Sequence, residues 1–339
     1  MQKKTYQFSS KKTDLYFDAD FSYLSKLTAQ DQTVLVTDEN IFSKHARKFK
    51  GWNTIVLKPG EEYKVQATAS AVIGQLIEYG ADRKTTLIGI GGGVVTDLTG
   101  YVAAVYMRGI RFGFVPTSIL AMVDASIGGK NGIDVGVYKN LVGTIRQPDF
   151  LLYDFSFLRT LPETEWINGF AEVIKHSCIR DAALFRELES NKLRTYRKDI
   201  TALAKLIRRN ASIKCAVVEK DEFEQGDRRL LNFGHTLGHA IENLYALTHG
   251  QAVSVGMVAA CAISEQLAGF KETARVVKVL DQYGLPTLVK YDKAAAFEIL
   301  KMDKKKEKQS MNYVLLSKIG KGLVQNIPLP ELETIIKAI

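Results

Sequence analysis

Cysteine, histidine and tryptophan are scarce in this chain of 339 residues, at three, five and two copies. The three cysteines, Cys178, Cys215 and Cys261, are far apart and odd in number. That excludes a disulfide framework and predicts reduced thiols in a cytoplasmic protein. The apolar run AVSVGMVAACAI around Cys261 falls short of the about 20 residues that span a bilayer. The opening residues MQKKTYQFSSKKTD hold no apolar core of a signal peptide, so neither a membrane partner nor export is expected. Internal repeats, low-complexity linkers and a GxGxxG fingerprint are also missing.

What is present is basic. The formal charge is +9 and the pI about 9.2, which favours anionic partners. Apart from Lys304, Lys305, Lys306 and Lys308 the charge is spread out, with no aromatic–basic motif beside it. A phosphorylated small molecule accounts for such lysines, and no nucleic-acid partner is expected.

At 339 residues with 46% hydrophobic content, two domains with ordinary cores are expected. In the first half, strands are predicted at 33–36, 53–57, 85–90, 111–115 and 151–153. Helices are predicted over IFSKHARKF, from Glu61 to about Tyr79, and over VVTDLTGYVAAVYM. This alternation implies a parallel sheet with helices on both faces. It stops near Phe155. From Pro162 helices dominate, with one long helix expected from about Asn191 to Phe223 and another over Gln251 to Leu267. A strand is expected at Asn312 to Leu316, followed by a turn at Ile319 to Gly322. The expected domains are therefore 1–158, Rossmann-like α/β, and 159–339, mainly α-helical.

Gly91-Gly92-Gly93 follows a predicted strand and opens a helix. Backbone without Cβ approaches a pyrophosphate closely, and the helix start offers free N–H groups, although a tight turn alone also explains the glycines. Asp97 then suits a ribose or nicotinamide edge, or plain dipole stabilisation. Further on, Asp124 lies in an apolar stretch and Lys130 follows Gly128-Gly129, with Lys139-Asn140 close behind. Lysines beside glycine turns suit a phosphate.

His235 and His239 stand four apart in LLNFGHTLGHAIE, with Asn232 ahead and Glu242 behind. On a helix that spacing puts both imidazoles on one face, and spacing alone makes both candidate metal ligands. His249 follows shortly, and Glu172 sits inside the apolar helix INGFAEVIKHS with Lys175 on the same face.

Taken together these blocks resemble the 3-dehydroquinate synthase family of sugar-phosphate cyclases. The likeness rests on GEEYK at 60–64, GGGVVTD at 91–97, YMRG at 106–109 and PTSILAMVDASIGGK at 116–130. It continues through YKNLVG at 138–143, GFAEVIKH at 169–176, RRLLNFGHTLGHAIE at 228–242 and HGQAVSVGM at 249–257. The resemblance implies a homodimer using NAD with zinc or cobalt. It implies conversion of 3-deoxy-D-arabino-heptulosonate 7-phosphate to 3-dehydroquinate and phosphate, a step toward the aromatic amino acids.

Carried over by position, it makes Glu172, His235 and His249 the metal ligands and gives His239 proton transfer instead. Cofactor contacts fall on Asp38, Asn40, Glu61, Lys64, Gly92, Gly93, Val94, Asp97, Thr117, Ser118, Lys130, Lys139 and Thr160. Catalytic positions are His239, Lys175, Asp124, Lys214, Arg228 and Asn232, and phosphate contacts are Arg108, Lys130, Asn140 and Lys305. Thr96, Ser118, Tyr138 and Gln251 depart from the family's common residues, and none of them is a proposed metal ligand. A polyol dehydrogenase would share the glycine turn but is not expected to carry VDASIGGK or Lys214 with Arg228. A sister cyclase acting on another sugar phosphate is the nearer alternative.

Overall fold

The computed structural model describes residues 1–9, 11–136, 138–303 and 309–339. Internal packing divides the chain into two compact units. One comprises Met1–Glu165 and Ile200–Phe223, the other Trp166–Asp199 and Glu224–Ile339. The sequence pattern places the change near residue 158 and reads 191–223 as one helix of the second half. Instead, Asp199 is extended between helices Leu193–Lys198 and Ile200–Lys220. The second of these packs with the first unit, where Glu219 accepts a hydrogen bond from the Gln7 amide at 2.9 Å. Periodicity reports that such a helix buries one face, not which partner covers it.

The first unit carries strands β1 (Gln2–Gln7), β2 (Lys12–Phe17), β3 (Thr33–Asp38), β4 (Asn53–Leu57), β5 (Thr86–Gly91) and β6 (Arg111–Pro116). The hairpin β7 (Lys130–Val135) and β8 (Tyr138–Ile145) follows, then β9 (Phe150–Leu152). Seven strands form one sheet in the order β1-β2-β9-β6-β5-β3-β4, parallel throughout except for the β1–β2 pair. β3 and β5 are buried almost end to end, as expected of parallel strands covered on both faces. Leu35, Ile88, Ile90, Val115 and Leu152 pack there with Phe21, Phe49 and Phe157. The strands β1, β2, β7 and β8 are not foreseen from sequence, because β1 and β8 are largely exposed and carry no buried run.

A second departure lies at 61–79. The expected single helix is a 3₁₀ turn, Glu61–Tyr63, and a helix, Gln66–Glu78, with non-helical Lys64 and Val65 between them. That break sends the Lys64 side chain into the interior.

The second unit is a helical assembly with one hairpin, β10 (Ser310–Lys318) against β11 (Lys321–Pro328). Phe170 stacks on Tyr283, with ring centroids at 5.1 Å. Helices His235–Leu244 and His249–Ala268 pack with their backbones nearly touching. A Cβ on Gly256 would overlap the Gly234 carbonyl, and Gly234 itself sits at φ +79°, so glycine is required at both places. Among the described residues, His249–Ala268 is the one helix long and apolar enough to cross a membrane, and most of it is buried in the protein.

Candidate active site

The donor cluster forms inside the second unit. Glu172 lies on helix Glu163–Arg180, where every residue from Asn168 to Ile179 is buried, and its carboxylate is fully enclosed. His235 and His249 each begin a helix, and the glycine contact between those helices brings the two rings to a centroid distance of 5.3 Å. Both turn Nε2 toward Glu172 Oε1, each at 3.4 Å. Behind them, His235 Nδ1 lies 3.1 Å from the Phe233 carbonyl and His249 Nδ1 lies 3.4 Å from Glu242 Oε2. Lys175 contacts the other Glu172 oxygen. Gln251, a departure from the family's usual glutamate, closes the capping box with Thr248 that starts the His249 helix, which a glutamine does as well.

Electrostatics keep this cluster polarised. Burial opposes ionisation of Glu172, yet the charges of Lys175 and His235 outweigh it and hold the carboxyl well below the usual range. Burial, aided by Lys175, pushes His235 down. Burial acts the same way on His249, but hydrogen bonds to Glu172 and Glu242 overcome it and raise the ring to about 9.

The donor atoms of Glu172, His235 and His249 all lie within 4.8 Å of one another. One carboxylate and two imidazoles, each imidazole held from behind, fit a divalent ion of the zinc or cobalt kind and leave positions open for other ligands. Spacing alone pairs His235 with His239. In the structure His239 stands beside that set, 5.2 Å from His235 ring to ring, and belongs to a second grouping with Glu242 and His249. Nearby, Arg228 is buried and Asn232 donates to Glu224.

In the first unit, Lys214 reaches Asp124 twice, at 2.9 Å to Oδ2 and 2.8 Å to the backbone carbonyl. The helix Ile200–Lys220, given by sequence to the other half, is what delivers it.

Of the expected cofactor residues, Asp38, Asn40, Gly92, Gly93, Val94, Thr117 and Ser118 lie at or just after the carboxyl ends of β3, β5 and β6. The chain moves to one side after β3 and to the other after β5, which makes the β3/β5 junction a switch point of the kind that receives ligands. Asp38 ends β3 and caps the helix holding Asn40 through the Ile41 amide at 2.9 Å. Thr117 donates its amide to Gly91 O at 2.9 Å, with Ser118 next. A side chain on Gly91 would collide with Val95, so packing explains that glycine. At Gly92 and Gly93 a Cβ would meet nothing closer than 3.5 Å, and neither has positive φ. Packing does not require glycine there. The helix that starts at Gly93 carries no side-chain cap, so this bare turn suits the close approach of an anionic ligand.

Lys64 ties this region together. Its Nζ lies 2.6 Å from Asp97 Oδ2, 2.6 Å from Asn140 Oδ1 and 3.7 Å from Glu61. Burial would strip its proton, but Asp97 and Glu61 hold the ammonium charged. Asn140, read from sequence as a phosphate contact, thus joins the expected cofactor group, with Lys139 beside it on β8. Thr160 Oγ1 lies 2.7 Å from His45 Nε2. Arg108, at the end of a short 3₁₀ turn, and Lys130, at the start of β7, are exposed, and the glycine beside each adjoins Arg146. The Arg146 amide donates to Gly129 O at 2.8 Å, and a Cβ on Gly109 would lie 3.2 Å from its guanidinium. Arg146 and His45 escape the sequence reading; Glu242, noted there behind the two histidines, is given no role, because no spacing rule singles it out. Lys305 lies outside the described residues.

Comparison with known proteins accounts for both units. The family model described as 3-dehydroquinate synthase N-terminal matches residues 54–168, and its C-terminal counterpart matches 169–306. The 3-dehydroquinate synthase of Pyrococcus abyssi is 42% identical over 276 residues, 81% of this chain and 81% of that one. That of Pyrobaculum neutrophilum is 41% identical over 293 residues, 85% of each. A solved 2-deoxy-scyllo-inosose synthase, complexed with carbaglucose-6-phosphate, NAD+ and Co2+, has a TM-score of 0.87 at 25% identity. The match covers 99% of this chain and 100% of that one. With a metal-type donor set in one unit and a glycine cradle in the other, the chain belongs to the 3-dehydroquinate synthase family.

Proposed function

We infer that the chain converts 3-deoxy-D-arabino-heptulosonate 7-phosphate to 3-dehydroquinate and phosphate. The observation that carries this reading is the Glu172–His235–His249 set, two of its members buried and the third half-buried, in a chain 41–42% identical to 3-dehydroquinate synthases over most of its length. Bound NAD supplies reversible hydride acceptance, and a zinc or cobalt ion offsets negative charge on the reacting oxygens. Every other part falls to the chain's own residues.

Glu172, His235 and His249 hold the ion. Asp38, Asn40, Glu61, Lys64, Gly92, Gly93, Val94, Asp97, Thr117, Ser118, Lys139 and Thr160 hold the dinucleotide, with Lys64 as the fixed charge. His239 carries a proton to and from a substrate hydroxyl oxygen, a task suited to imidazole near neutrality. Lys175 keeps Glu172 ionised. Asp124 and Lys214 act as a pair, so that each fixes the other's charge, and Arg228 with Asn232 orients the substrate. Arg108, Lys130 and Lys305 bind the phosphate and stabilise it as it leaves. Asn140 reaches both jobs through Lys64. The active species is a homodimer in a reducing cytoplasm, in keeping with three free, buried cysteines.

The test is phosphate release from the heptulosonate phosphate after EDTA treatment, with NAD and metal added back separately and together. Release that needs both supports the reading. Release only from a different sugar phosphate assigns a sister cyclase instead.

A further inference from the structure

The two imidazoles of the donor set are held from behind in different ways. His235 Nδ1 faces a main-chain carbonyl, Phe233 O at 3.1 Å, which no side-chain substitution removes. His249 Nδ1 faces a side chain, Glu242 Oε2 at 3.4 Å. Glu242 lies seven residues after His235 and three after His239 on the same helix, so all three share a face. Its side chain is only 7% exposed. A carboxylate so enclosed costs free energy unless it meets a donor, and the His249 ring is one.

We propose that Glu242 is a positioning residue that fixes the orientation and tautomer of His249, so that Nδ1 carries the hydrogen and Nε2 is presented with Glu172 and His235. Carboxylates placed behind ligating histidines in this way raise ligand basicity and hold the ring still. Of the two imidazole ligands, only His249 then has its metal affinity set by a replaceable residue. The proposal rests on the metal reading above. It also explains why Glu242 groups with His249 and His239 as donors without making them a second ion site.

The experiment compares wild type, Glu242→Ala, Glu242→Gln and His235→Asn. It measures Zn2+ and Co2+ dissociation constants by chelator competition, the visible spectrum of the Co2+ form, NAD affinity, and melting of the metal-free proteins. Glu242→Ala is expected to weaken metal binding by about 10–100-fold, the usual effect of losing such a partner. It should also shift the Co2+ bands and leave NAD affinity unchanged. Glu242→Gln, whose amide oxygen still accepts from Nδ1–H, should lose less but bind measurably more weakly than wild type. An unchanged metal constant in both variants overturns the proposal, even if their melting temperatures fall. Should Glu242→Ala fail to fold, an unchanged constant in Glu242→Gln alone does the same. Two ions in wild type and one in Glu242→Ala would make Glu242 a ligand and also overturn it. His235→Asn separates the two readings: if it keeps its metal the metal assignment itself fails, whereas metal loss there with none at Glu242 refutes only the positioning role.

Discussion

His235 and His239 lie one turn apart on the same helix with their rings edge to face at 87°, and His235 aims Nε2 at Glu172, 3.4 Å away. Helical spacing brings both imidazoles to one face; tertiary packing decides which joins the carboxylate. His239→Asn is therefore expected to keep near-stoichiometric metal and to bind NAD as wild type does, while turnover falls by about 10²–10⁴. His235→Asn should lose metal and activity together. Metal analysis of purified His239→Asn decides the matter, since a metal-free protein would make His239 a ligand.

The Lys64–Asp97 pair, 2.6 Å apart with side chains 5% and 17% exposed, joins two segments that the sequence keeps separate. Lys64→Met should leave Asp97 without its cation and lower stability by roughly 3 kcal/mol, the low end for a broken buried pair. NAD affinity should fall as well. Adding Asp97→Asn removes the stranded charge and should restore part of the stability but none of the NAD binding. Urea unfolding and calorimetric NAD titration read the two effects separately. Full recovery of NAD affinity in the double variant would show that Lys64 serves the fold alone.

Much of this arrangement is legible in the sequence, for identifiable reasons. The strands β3 and β5 announce themselves because both faces are covered and the residues run apolar. Gly91-Gly92-Gly93 signals a cradle by composition, and Glu172 stands out as a carboxylate in an apolar helix. The break at Lys64 and Val65 is not legible, because it serves an ion pair with a residue more than thirty positions away. Nor is the strand β1, whose residues QKKTYQ are mostly exposed. Lys214 is legible only as a position carried over by the family resemblance, and its place beside Asp124 depends on which unit covers the helix Ile200–Lys220. His249 meets His235 through the Gly234–Gly256 contact, a fact of packing that no local pattern contains.

The surroundings of Lys130 and Asn140 differ, which separates the phosphate roles proposed for them. Lys130 is exposed at the start of β7, whereas the Asn140 side chain accepts from Lys64 Nζ at 2.6 Å. Lys130→Ala is expected to weaken a phosphonate analogue of the substrate by about 10-fold or more, the loss of one charge-assisted contact, with NAD affinity much less changed. Asn140→Ala should weaken NAD as well, because it releases the lysine that Asp97 and Glu61 share. Calorimetry with each ligand distinguishes the two, and equal NAD affinities in wild type and Asn140→Ala would count against the link through Lys64.

The thiols give a pH dependence whose sign can be fixed in advance. Cys178, Cys215 and Cys261 are free and buried, and burial pushes Cys178 up to about 12 from an ordinary value of 9.0. Burial moves the other two upward as well. A thiol whose folded value is raised binds its proton more tightly in the folded chain, so its contribution is fully present below about pH 9. Between pH 9 and 12 the unfolded chain releases protons that the folded chain keeps. Stability then falls, by at most about 1.4 kcal/mol per thiol for each rise of one in pH. At about pH 8, below the ordinary thiol range, the folded protein should therefore leave all three thiols silent to a disulfide reagent, because the reactive thiolate is absent and access is closed. All three should react on unfolding in urea. The urea midpoint should then move downward as the pH is raised from about 9 to about 10.5. Cys178→Ala should flatten that slope while lowering the midpoint near neutrality through the cavity it leaves. Rapid modification of Cys178 in the folded protein at mildly alkaline pH would contradict this account of its burial.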